Sequence, residues 1–159
     1  MTTRLAPVFA AAVALAGYAM TSLQAQSPAP KPAPATAPSG PVGTIEQITV
    51  HGKSLEGNLN GDSPDRSVIV YLPPGYQVDT SRRYPVVYLL HGYGLQASGW
   101  MRIFRIEAGL NRAMTGTGER ARDMIVVNPD AYSFFDGSFY SRSATAGDWE
   151  TFVADELVA

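Results

Sequence analysis

Four residues carry the clearest chemical suggestion in this chain: His91-Gly92-Tyr93-Gly94. They follow Tyr84-Pro85-Val86-Val87-Tyr88-Leu89-Leu90, which reads as a buried strand that ends in a sharp, glycine-rich loop. Backbone N–H groups just past a strand end can be aimed at an oxygen that gains negative charge during acyl transfer. Each such donor lowers the barrier by a few kcal/mol. Glycine allows the turn and a close approach of backbone to substrate. The N–H of Tyr93 is the expected donor. The same four residues also fit an ordinary strand-to-helix turn, and the place of the loop after an all-apolar strand is what favours the chemical reading.

Other polar residues are weaker candidates. His91 sits at the strand end behind the loop and is expected to brace the turn, because a general base must reach its nucleophile. His51 closes an alternating strand and reads as a surface residue. Neither histidine has a partner at metal-ligand spacing, so no metal site is expected, and no cofactor. Ser98, Ser141 and Ser143 lack the strand–turn–helix frame of a nucleophile elbow. Tyr132, Phe134, Phe135, Phe139 and Tyr140 cluster in one loop beyond a strand end, where ligands of α/β sheets bind. Asp130 and Asp136 share that loop and read as turn residues. Gly94, Trp100 and Tyr140 are the expected substrate contacts, Trp100 either walling an acyl pocket or packing the start of a helix.

Positioning these residues takes an alternation of strands and helices. Ile45 to His51 alternates as a half-buried strand, and Arg66 to Leu72 is a second strand stopped by Pro73-Pro74-Gly75. Their short connection predicts an antiparallel edge hairpin. Val86 to Leu90 is continuously apolar, as a central parallel strand covered on both faces would be. Ile103, Ile106, Leu110, Ala113 and Met114 recur at helical spacing, and Met124 to Val127 is a fourth strand. Asp148 reads as an N-cap, followed by one helical face of Trp149, Phe152, Val153 and Leu157. The fold class is α/β with a mainly parallel sheet and flanking helices.

The chain has 159 residues, no cysteine and a formal net charge of −2. No disulfide or lipid-modified cysteine is available, and no basic cluster exceeds Arg82-Arg83, which argues against nucleic acid as a partner. Residues 1–25 combine Arg4 with an uncharged apolar run and read as a cleaved export signal, the alternative being an uncleaved anchor. Residues 26–44 form a proline- and alanine-rich linker, and residues 45–159 the folded part. The expected location is secreted or periplasmic, without stable membrane association once the signal is cleaved.

Several blocks together resemble the "Putative esterase" family, which includes feruloyl esterases, S-formylglutathione hydrolase, enterochelin esterases and the mycolyltransferase antigens. The blocks are Tyr71-Leu72-Pro73-Pro74-Gly75-Tyr76, Tyr84 to Gly92, Trp100, Asn128-Pro129, Ser138-Phe139-Tyr140 and Trp149-Glu150-Thr151-Phe152. The resemblance implies an α/β-hydrolase fold, a Ser-His-Asp/Glu triad and an oxyanion hole containing the Tyr93 N–H. In that family the helix near Trp149 leads to another strand and a Gly-x-Ser-x-Gly elbow. The sequence is therefore expected to be the amino-terminal portion of such a domain, without its triad, with Val86 to Leu90 left at an open sheet edge and with no activity of its own. The expected substrate is a small-molecule or sugar-linked acyl, feruloyl or acetyl ester. Transfer to a sugar acceptor and a non-catalytic binding remnant are the alternative functions.

Overall fold

The computed structural model describes residues 41–116 and 119–158. The expected export signal and most of the linker lie outside these residues. The ordered strand begins within the range read as linker: β1 (Thr44–His51) starts at Thr44, and the Gly43 N–H already donates to Asn111 Oδ1 at 2.7 Å.

β1 pairs antiparallel with β2 (Asp65–Leu72) along its whole length, from Thr44 opposite Leu72 to His51 opposite Asp65. This is the expected hairpin. β3 (Val86–Tyr88) and β4 (Ile125–Pro129) complete a sheet of order β1-β2-β4-β3. β4 is antiparallel to β2 and parallel to β3. One of the three pairings is parallel, so the described sheet is mixed and not mainly parallel. The reason is local. Among the described residues only the β3-to-β4 connection carries α-helices, and a helical crossover is what makes neighbouring strands parallel. The loop from Pro73 to Pro85 simply reverses the chain.

β3 also departs from the expectation of cover on both faces. It is three residues long, β4 pairs with one side, and Val86 and Val87 are 47% and 42% exposed. A continuous apolar run signals burial, but the cover for this one is not among the described residues. The expected single helix is two: α1 (Ala97–Ile103) and α2 (Ile106–Thr115). They break at Arg105, whose φ of 50° is left-handed, and this turns Ile103 and Phe104 out to solvent.

Two apolar clusters lie on opposite faces of the sheet. Tyr71, Val126 and Met114 of α2 form one, with Leu89 and Leu110 packed against it. The Tyr71 hydroxyl donates to Asn111 Oδ1 at 3.1 Å, and burial pushes its pKa up to about 12. Val50 has the opposite parity to Ile45, the partner of Tyr71, and so faces the other side. There it meets Leu55, Ala131, Trp149 and Phe152. Trp149 opens α3 (Trp149–Thr151), and Phe152 begins the π turn over Phe152–Glu156 that continues it. Asp148 caps this segment as expected, accepting from the Thr151 N–H at 3.0 Å. Trp149, Phe152, Val153 and Leu157 all join one cluster, as their spacing predicts.

His51 adds a pH-dependent clamp to the hairpin. Its Nδ1 lies 2.7 Å from Asp65 Oδ1 and its Nε2 2.8 Å from Glu56 Oε1. These bonds, first to Glu56 and then to Asp65, raise the imidazole pKa above its usual value. A raised folded pKa contributes stability that is fully present below the unfolded value, about 6.5, and is lost as pH rises through the folded one. His51→Gln is expected to remove that loss. Urea unfolding from about pH 6 to pH 8 checks it, and matching pH profiles for parent and variant would sink the idea.

Candidate active site

The ladder between β3 and β4 ends where the Leu89 N–H donates to Val127 O at 2.8 Å. Beyond it, the His91 loop leaves β3 and the aromatic loop leaves β4. The two strands are parallel, so both loops emerge at the same rim of the sheet. Gly94, with a left-handed φ of 75°, turns the first loop and donates its N–H to Asp136 O of the second at 2.8 Å. A side chain here would be strained, which is the reason for glycine.

His91 is buried, 5% exposed. Its Nε2 accepts the Ala131 N–H at 2.8 Å, which leaves the ring proton on Nδ1, 3.0 Å from Gly92 O. The rings of Trp100 and Tyr140 meet it edge-on, with centroids 6.4 and 5.8 Å away. Both ring nitrogens are spent on backbone, so His91 braces the loop and serves no serine as a base. His51, held by Glu56 and Asp65, is likewise committed elsewhere.

Among the described residues the Tyr93 N–H donates to nothing, whereas the next amide, Gly94, is used. The Tyr93 ring is 61% exposed and stacks on Phe139 at 5.3 Å. Gly137 lets it lie there, since a Cβ at that position would come within 3.1 Å of Tyr93 Cδ2. Gly92, Tyr93, Ala131, Ser138, Phe139 and Tyr140 line a mostly apolar cavity of about 260 Å³.

The aromatic loop is held in an unusual backbone shape. Asp136, Phe139 and Tyr140 have φ of 61°, 52° and 52°. Left-handed backbone costs a non-glycine residue roughly 1–2 kcal/mol, so the surroundings must impose it. Tyr132 Oη donates to Asp136 Oδ1 at 2.6 Å, and the Tyr140 N–H to Ser138 Oγ at 3.1 Å. The Tyr140 hydroxyl donates to His91 O at 3.2 Å. Burial pushes that hydroxyl's pKa up to about 12, so it stays protonated and donating at neutral pH.

Of the residues named from sequence, Tyr93 and Tyr140 share one cavity. Gly94 lines a separate hollow with Leu95, Gln96 and Tyr132. Trp100 packs its ring against those of His91 and Phe104 and is not among the residues that line the Tyr93 cavity. Asp130 acts in a turn, accepting the Tyr132 N–H at 2.9 Å and pairing with Arg66 at 3.5 Å. Ser141 and Ser143 bond within their own loop. Among the described residues no three His, Asp or Glu side chains are grouped to hold a metal. Sequence reasoning missed Gly92, Ala131, Gly137 and Ser138 as cavity walls. Only the glycines left a readable signal.

A family model described as "Putative esterase" matches residues 63–159. A solved ferulic acid esterase is 24% identical with a TM-score of 0.60, covering 75% of this chain and 43% of its own. The ferulic acid esterase of Anaeromyces mucronatus, solved with ferulic acid, is 23% identical with a TM-score of 0.52, covering 73% and 41%. These two likenesses show an α/β-hydrolase-like fold. An S-formylglutathione hydrolase from Agrobacterium tumefaciens is 18% identical with a TM-score of 0.46, covering 72% and 42%. No curated protein matches. The chain thus spans less than half the length of each of these solved structures.

Proposed function

This chain belongs to the "Putative esterase" family, and from that premise we propose that it builds the oxyanion and acyl-pocket side of an exported carboxylic-ester hydrolase. One observation carries the reading. An unused amide, Tyr93 N–H, belongs to a loop that lines an aromatic cavity at the strand-end rim. Such an amide breaks no protein hydrogen bond when it turns to a carbonyl oxygen that becomes an oxyanion. The cavity supplies an apolar bed for the acyl part, and the exposed Phe139 and Tyr93 rings suit a flat aromatic acid such as ferulate. The solved ferulic acid esterases support that substrate class.

In the proposed reaction a serine attacks the ester carbonyl, the alcohol leaves, and water then releases the acid from the acyl-enzyme. Tyr93 N–H and the N–H after the nucleophile hold the oxyanion in both steps. The 159 residues contain no Gly-x-Ser-x-Gly, so no residue here is given the part of nucleophile, acid or base. We place these in sequence outside this chain, and expect the chain alone to be inactive. Residues 1–25 would direct export, and no helix of the described residues is long and apolar enough to cross a membrane.

The test compares the product of the complete reading frame with residues 44–159, using methyl ferulate and a feruloylated sugar. The complete product is expected to release ferulic acid and the shorter chain none. No release by the complete product, or equal release by both, would defeat the proposal. A new sugar ester in place of free acid would mark a transferase.

A further inference from the structure

We propose that Tyr140 is a positioning residue for the Tyr93 amide and acts through His91; the inference rests on the oxyanion role proposed above. The described chain has no cis peptide bond, so Gly92 C=O and Tyr93 N–H share one plane and point in opposite directions. Whatever fixes the carbonyl therefore aims the amide. The group that does so is His91 Nδ1–H, 3.0 Å from Gly92 O. The Ala131 N–H sets the proton there by occupying Nε2. A donor on the carbonyl also polarises the peptide and strengthens the N–H as a donor.

The preceding peptide plane is fixed in the same way. Its carbonyl, His91 O, accepts the Tyr140 hydroxyl at 3.2 Å, and the Tyr140 ring lies edge-on to the imidazole. Two consecutive planes are thus tied by two side chains. They need such ties, because a Cβ on Gly92 would meet nothing within 4 Å: packing does not hold this glycine. Tyr140 reaches His91 O from a left-handed backbone, φ 52°, which most residues avoid. The structure keeps that conformation where it delivers the hydroxyl.

Two measurements on the complete reading-frame product test this. Two-bond proton–nitrogen spectra of labelled histidine, with His91→Gln used to assign the signal, should show His91 as the Nδ1–H tautomer. The Nε2–H tautomer would overturn the clamp. Tyr140→Phe keeps the ring and removes the donor. It should lower kcat for methyl ferulate about tenfold with KM within about twofold, the mark of an interaction made in the transition state. Inactivation by an aryl phosphonate, which also places an oxyanion in the site, should slow in parallel. A parent that turns over and a variant equal to it would overturn this inference alone. A parent without turnover would overturn the esterase reading and this one with it.

Discussion

Exchanging the Tyr93 amide for an ester linkage is expected to lower kcat of the complete protein by about 10²–10³-fold, the loss found when one oxyanion donor is removed. The exchange replaces the N–H by an ester oxygen and leaves the side chain stacked on Phe139. Among the described residues that N–H has no acceptor to lose, and the one internal bond weakened is that from His91 Nδ1–H to Gly92 O, whose carbonyl becomes an ester's. Stability should therefore change little while turnover falls. KM should hardly move, since the ground-state carbonyl oxygen carries little charge and gains most of its interaction with the donor later. Tyr93→Pro also removes the N–H but takes the ring with it, so its control is Tyr93→Ala, which loses the ring, keeps the amide and should turn over faster than the proline variant. Steady-state kinetics on methyl ferulate decide the matter. If the amide-to-ester protein works as fast as the parent, Tyr93 is not a donor in the reaction.

The second large effect is on folding. Phe152 has no solvent exposure and meets Trp149 edge-on at 6.1 Å. Leu55 and Ala131 close the same cluster, and a Cβ on Gly52 would come within 2.7 Å of the Phe152 ring. There is little slack for collapse around a smaller residue. Phe152→Ala should therefore cost about 3–5 kcal/mol. Domains have only about 5–15 kcal/mol in reserve, so much of that reserve would go. Phe152→Leu, closer in volume, should cost under about 2 kcal/mol. Denaturant unfolding measures both. A loss below about 1 kcal/mol for the alanine variant would mean that this cluster does not hold the fold.

Sequence alone made some of this legible. Alternation from Ile45 to His51 and the stop at Pro73-Pro74 gave a hairpin whose full register the structure displays. Asp148 ahead of a 3.6-residue apolar pattern gave a cap and a packed face. These are local patterns, and local chemistry enforces them. The break at Arg105 escaped, because nothing in Phe104-Arg105 forbids a helix and a left-handed φ of 50° leaves no mark in sequence. β3 stands at the edge of the described sheet, as the family resemblance led one to expect, but the exposure of Val86 and Val87 was masked by composition, which reports what would cover a strand and not whether the cover is present. The meeting of Tyr140 with His91 joins two loops 49 residues apart. No spacing rule reaches that far, and a tyrosine with φ 52° leaves no mark in sequence. Tyr93 could be named as a candidate donor because a glycine-rich loop after an apolar strand is a local pattern as well.

The cluster around Phe152 has one more bearing. Ala131, whose N–H sets the His91 tautomer, belongs to it, and Tyr140 packs against it. Under the proposed function, a change here that altered acyl preference would also reach residues of the cluster that holds the fold.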